Sequence, residues 1–118
     1  MRKTLIAAAV LSLLAAGQAS AHARLLKSNP MKGATVAAPK ALVLSFSEDI
    51  VADKSSVKLS GLDGKAAAVG PIALDAKTRH VVTVPVTGKL APGAYKVDWS
   101  MTSADSHTMT GSFPFKVK

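Results

Sequence analysis

From residue 41 onward, apolar and polar side chains alternate in short runs with a period of two, the spacing of a strand that buries one face and shows the other to water. Leu42, Leu44 and Phe46 alternate with Val43 and Ser45, and Val57 and Leu59 alternate with Lys58 and Ser60. A third row, Tyr95, Val97, Trp99 and Met101, has Lys96, Asp98 and Ser100 facing the other way; Trp99 continues this row as a core anchor. Phe113, Phe115 and Val117 form a fourth row around Pro114, and a proline there predicts an edge strand or a bulge because it has no N–H to give a ladder. Further strands are predicted over Arg24 to Lys27, Lys65 to Leu74 and His80 to Val86. Turn signals stand between them: Asn29-Pro30, Lys32-Gly33, Leu62-Asp63-Gly64, Gly70-Pro71 and Ala91-Pro92-Gly93. No stretch has the 3.6 period of an amphipathic helix, and no internal repeat is present. About seven short strands at this spacing predict an all-β fold, an antiparallel Greek-key β-sandwich or barrel of the Ig-like kind.

The first 21 residues follow a different pattern. Arg2 and Lys3 precede an apolar run from Thr4 to Ala16, and Ala19-Ser20-Ala21 supplies an A-x-A cleavage site, so residues 1–21 are expected to be a secretory signal peptide. The run is shorter than the roughly 20 residues a spanning helix needs. Cleavage after Ala21 leaves one expected domain, residues 22–118, exported and soluble. A chain of that size buries roughly 60 to 70% of its unfolded surface, enough for a single core. It has no cysteine, so the core forms without disulfide staples and neither a blue-copper nor a Cys-type zinc site is possible.

The formal charge is +8, of which Arg2 and Lys3 leave with the signal. The remaining cations are spread singly from Arg24 to Lys118, with no run and no interleaved aromatic platform, so no nucleic-acid partner is expected. They read as a solvated surface with a mild attraction to anionic membrane.

Cleavage would make His22 the first residue. A terminal histidine offers a metal two nitrogens, its ring and its α-amine, which together close a chelate ring. Asp105 and His107 stand two apart just beyond the third strand, a spacing that in an extended segment puts a carboxylate and an imidazole on one face. Combined with His22 they would give three nitrogens and one oxygen, a set that suits tetragonal Cu(II). The two halves lie some 80 residues apart, and composition alone does not bring them together. Each has a plainer reading: a terminal histidine with no role, an aspartate capping a turn, a surface histidine. Glu48 reads equally as a carboxylate orienting a ligand and as a solvated strand end. His80 reads as a strand-end residue, and Met101 as core filling.

Several motifs in order resemble the periplasmic copper-binding CopC/PcoC family. They are His22-Ala23-Arg24-Leu25, Ser28-Asn29-Pro30, Gly33-Ala34, Leu44-Ser45-Phe46-Ser47-Glu48, Gly93-Ala94-Tyr95-Lys96-Val97-Asp98-Trp99, Ser103-Ala104-Asp105-Ser106-His107 and Gly111-Ser112-Phe113. The resemblance implies a cupredoxin-like sandwich and a periplasmic carrier of Cu(II) for copper homeostasis or resistance, not an enzyme. It implies metal ligands at His22, Asp105 and His107, a monomer, and an inner-membrane copper transport protein of the CopD type as partner. Many members of the family also hold Cu(I) in a methionine-rich loop; the corresponding stretch, Gly61 to Leu74, contains no methionine, so that site is expected to be missing. Other classes compatible with the residues are a copper monooxygenase with a histidine brace, a metal-free β-sandwich interaction module, and a zinc or nickel carrier using the same ligands.

Overall fold

Each alternating row becomes a strand because its apolar side finds a second sheet to lie against. The computed structural model describes residues 23–118; the expected signal segment and His22 lie outside the described residues. Nine strands follow one another: β1 (Leu25–Asn29), β2 (Thr35–Val36), β3 (Ala41–Phe46), β4 (Ser56–Gly61), β5 (Ala66–Ala67), β6 (Ala73–Leu74), β7 (Val81–Pro85), β8 (Gly93–Thr102) and β9 (Thr108–Val117). They form a β-sandwich of two sheets, ordered β1-β3-β7-β6 and β2-β9-β8-β4-β5. Every described strand pair is antiparallel except β2 with β9. The chain passes from one sheet to the other between β1 and β2, β2 and β3, β3 and β4, β5 and β6, and β7 and β8, the connectivity of a Greek-key sandwich.

Two features raise the count above the expected seven. A two-residue strand, β2, joins the end of β9. The strand expected over Lys65 to Leu74 is instead two, β5 beside β4 in one sheet and β6 beside β7 in the other. Gly70-Pro71 lies at the crossing: Pro71 has no N–H for a ladder, and the Gly70 N–H goes to the Pro85 carbonyl at 2.8 Å. Ala66, Ala67 and Ala68 offer little side chain with which to hold a register.

The core is the set of inward rows. Leu42, Leu44 and Phe46 face Val82 and Val84 within one sheet, while Leu59, Val97, Trp99, Met101, Phe113 and Phe115 come from the other, all of them buried. Trp99 meets Phe46 edge-on, with ring centroids 5.1 Å apart and planes at 69°. Its register partner across the hairpin is Gly111. A Cβ on residue 111 would sit 2.7 Å from Cε2 of the indole, so only glycine leaves room for the ring. Pro114 lies not on an edge strand but in β9, on the side facing β2 at a point β2 does not reach: its carbonyl accepts the Gly33 N–H at 2.7 Å, so its own nitrogen faces the same way and no β8–β9 bond is lost.

The antiparallel register gives the sandwich two poles. One, the upper pole, carries the starts of β1, β4, β7 and β9 and the ends of β3, β6 and β8. The other, the base, carries the β1–β2, β4–β5 and β7–β8 connections and the end of β9.

Candidate metal centre

The ten-residue strands β8 and β9 pair from Gly93 with Val117 to Thr102 with Thr108, and the turn that joins them at the upper pole holds Asp105 and His107. The turn is tied from below by Ser103, which is 1% exposed. Its N–H donates to the His107 carbonyl at 2.9 Å, and the Ser106 N–H donates to the Ser103 carbonyl at 2.9 Å. Ser106 has φ 72°, a left-handed conformation that costs about 1 to 2 kcal/mol for a residue other than glycine. Two main-chain hydrogen bonds, at about 1 kcal/mol each, offset it.

Side chains complete the arrangement. The Ser103 hydroxyl donates to Oδ1 of Asp105 and also lies 3.2 Å from the His107 carbonyl. Oδ1 accepts the His107 N–H at 3.3 Å, and Oδ2 lies 2.9 Å from Nδ1 of the His107 ring. The Ser103 hydroxyl, and after it the imidazole, hold the Asp105 carboxyl well below the usual carboxylate range. Asp105 and His107 therefore converge, half-exposed, as a carboxylate and an imidazole open to an incoming ion. The roles at Nδ1 follow the tautomer: a ring proton there bonds Oδ2, and an ion that displaces that proton meets an imidazole lone pair and a carboxylate oxygen side by side. The convergence has a different cause from the one expected: the residues meet because the chain turns back through Ser106, not because they share a strand face.

The start of the described chain is held at this same pole. Ala23 is 1% exposed. The Arg24 N–H donates to Oγ of Ser47 at 2.9 Å, and its carbonyl accepts the Ser47 N–H at 2.9 Å. From Ser47 the chain runs straight to the turn. The Asp49 carbonyl accepts the Ala104 N–H at 3.2 Å, Ile50 forms a β-bridge with Ser103, and the Val51 N–H donates to the Thr102 carbonyl at 2.9 Å. A strap of five residues, 47–51, thus joins the entry of β1 to the Asp105–His107 turn. Beneath it Thr102 Oγ1 donates to the Lys54 carbonyl at 2.9 Å and meets Thr108 Oγ1 at 2.8 Å, closing the hairpin end.

Of the three candidate ligands, Asp105 and His107 are in contact, and His22 lies outside the described residues. Among the described residues no group of three or more His, Asp or Glu forms a cluster able to hold a metal. Glu48 stands exposed on the strap. His80 is at the end of the β6–β7 connection, its carbonyl accepting the Phe46 N–H at 2.9 Å, as a strand-end residue would. Met101 is fully buried in the core and Met109 packs against it, while Met31 is exposed at the base. Ser103 and Ser47 stand in motifs of the family resemblance, but the sequence assigns them no role. A serine two residues before an aspartate is a turn signal that marks the first of them; Ser47 carries no local mark.

The comparisons with known proteins agree with this architecture. Residues 25–118 match the model of the CopC domain. Copper resistance protein C of Pseudomonas syringae pv. tomato is 35% identical over 111 residues, spanning 90% of this chain and 88% of that protein. The crystal structure of PcoC, a methionine-rich copper resistance protein from Escherichia coli, superimposes with a TM-score of 0.73 at 33% identity, covering 83% of this chain and all of the other. That of CopC from Methylosinus trichosporium OB3b gives 0.76 at 28% identity, covering 82% of this chain and 94% of the other. By fold and by sequence over nearly its whole described length, the chain belongs to the CopC family.

Proposed function

We propose that this protein is a periplasmic carrier of Cu(II) in copper homeostasis or resistance. On this reading residues 1–21 are a signal peptide removed on export, and residues 22–118 are the mature, monomeric domain. Copper is cargo, held by the amine and ring of His22, the carboxylate of Asp105 and the imidazole of His107. The observation that carries the reading is the meeting of Asp105 and His107, Oδ2 to Nδ1 at 2.9 Å, at the pole where Ala23 is buried and Arg24 is strapped through Ser47–Val51 to the same turn. The named copper resistance relatives support the choice of metal.

The donors set the chemistry. Nitrogen and carboxylate oxygen suit Cu(II) better than Cu(I), so reduction loosens the cargo. The methionine-free stretch from Gly61 to Leu74, with Met101 in the core, supports a carrier without a Met-rich Cu(I) site. A free α-amine and an imidazole bind a metal only when deprotonated, so affinity rises from mildly acidic pH toward about 8 and then levels. Release to an inner-membrane transport protein of the CopD type completes the cycle. No catalytic step is assigned.

The test adds one residue before His22, which turns the amine into an amide and leaves every side chain in place. Cu(II) affinity, measured by competition titration, is expected to fall by at least about 100-fold with a changed EPR spectrum. Unchanged binding and spectrum would refute the terminal chelate.

A further inference from the structure

The charged residues are sorted by pole. The upper pole mixes signs: Arg24, Lys54, Lys77 and Arg79 stand among Glu48, Asp49, Asp53, Asp75 and Asp105. The base does not. Lys32, Lys40, Lys65, Lys89, Lys116 and Lys118 are all exposed there, with Asp63 as the one carboxylate side chain among the described residues of that end. Asp63 is turned into its own loop, Oδ1 accepting the Lys65 N–H at 3.0 Å.

Apolar side chains mark the same end independently. Three large hydrophobics are exposed among the described residues, and two of them are at the base: Met31 at 69% and Leu62 at 68%. Met31 lies in the β1–β2 connection and Leu62 in the β4–β5 turn, at opposite edges of the sandwich. Beside Leu62 a cleft of about 460 Å³ has Leu90, Pro92 and Tyr95 in its walls and Lys65 and Lys89 at its sides. The loops are braced: Tyr95 Oη donates to the Ala91 carbonyl at 2.7 Å, and the Leu62 N–H donates to the Ala94 carbonyl at 3.2 Å.

Lysines around protruding apolar tips fit one kind of surface better than any other. Long cationic side chains reach a layer of phosphates while the apolar tips enter the boundary beneath it. An acidic protein would match the lysines, but it would leave Met31 and Leu62, one at each edge, needing two separate pockets. We infer that the base is a docking surface for an anionic phospholipid bilayer, which stands the protein on the membrane with its upper pole turned away. The inference rests on the charge and apolar pattern of the base and does not depend on copper.

The test uses the exported protein, metal-free, and large vesicles of phosphatidylcholine with or without about 30% phosphatidylglycerol, read by co-sedimentation. Binding to the anionic vesicles at low salt is expected to exceed that to neutral ones by about 100-fold and to weaken steeply by 0.5 M salt. Lys32→Glu, Lys116→Glu and Lys118→Glu together are expected to abolish it. Met31→Ser with Leu62→Ser is expected to weaken it about 10-fold, including the part that survives salt. Far-UV circular dichroism and Cu(II) uptake should be unchanged in each variant, since every substitution lies at the pole opposite Asp105 and His107. Equal binding to both vesicles, or anionic binding that survives the lysine reversals, would overturn the inference. So would base lysines that cross-link to a periplasmic protein while no vesicle binding occurs, an outcome that would make the base a protein interface.

Discussion

Ser103 sits where the fold ends and the candidate site begins. It is buried, yet its hydroxyl reaches Asp105, whose carboxylate meets the His107 ring. Replacing it with alanine removes one of the contacts that fix Asp105 and leaves those of His107. Residues that orient ligands in this way typically contribute 10- to 100-fold to metal affinity. Ser103→Ala is therefore expected to lower Cu(II) affinity about 10-fold in a competition titration while costing only about 1 kcal/mol in a denaturant melt. A large stability loss with unaltered affinity would make Ser103 structural only. At this scale the sequence was partly legible. Asp105 and His107 announced themselves by spacing, and the turn brought them together. Ser103 carried only the turn signal of its spacing to Asp105, and Ser47 was silent, because its partner Arg24 is remote in sequence and meets it only once the chain has packed.

Among the elements, the long rows were legible for a plain reason: from Tyr95 to Met101 and from Phe113 to Val117 every second side chain is large and apolar, so a shift by one residue would expose the whole row. The Lys65–Leu74 segment is two short strands where the sequence predicts one. Its alanines carry no alternation, and its assignment to two sheets is decided by neighbours, β4 on one side and β7 on the other. The β6–β7 connection shows a second way an element holds its shape. Oδ1 of Asp75 accepts the N–H groups of Lys77 at 2.8 Å and Thr78 at 3.3 Å, and these bonds, with help from His80, lower its pKa. A lowered folded-state pKa means stability that is present above the unfolded carboxylate value, about 3.9, and is lost as pH falls through the lower folded value. Asp75→Asn keeps an acceptor oxygen but cannot titrate. The wild type should accordingly exceed the variant in thermal midpoint at pH 6 and lose that advantage by pH 2. A difference that stays constant with pH would remove Asp75 from the acid response.

Across the whole molecule, two poles with different chemistry are joined by one rigid hairpin. Ten residues of β8, at about 3.3 Å each, separate the lysine-rich base from the Asp105–His107 turn by roughly 30 Å. A bilayer at the base and a cargo ion at the other end would therefore not compete for the same groups. The mixed charges of the upper pole keep it from being drawn to the phosphates that the base prefers. Topology was the part least visible beforehand, since the separation depends on which ends of nine strands fall together.

The packing of Trp99 over Gly111 gives this molecule an optical gauge. The sequence has one tryptophan, so its emission comes from a single indole locked between Phe46 and a residue with no side chain. Thr102, at the edge of the turn, is three residues further along β8, about 10 Å of strand. A paramagnetic Cu(II) ion at that turn should dim this emission in proportion to loading without moving its wavelength, whereas diamagnetic Zn(II) should leave it bright. A red shift on loading would mean that the hairpin opens to take its cargo. A fixed wavelength would mean that the ion is received by a frame already in place.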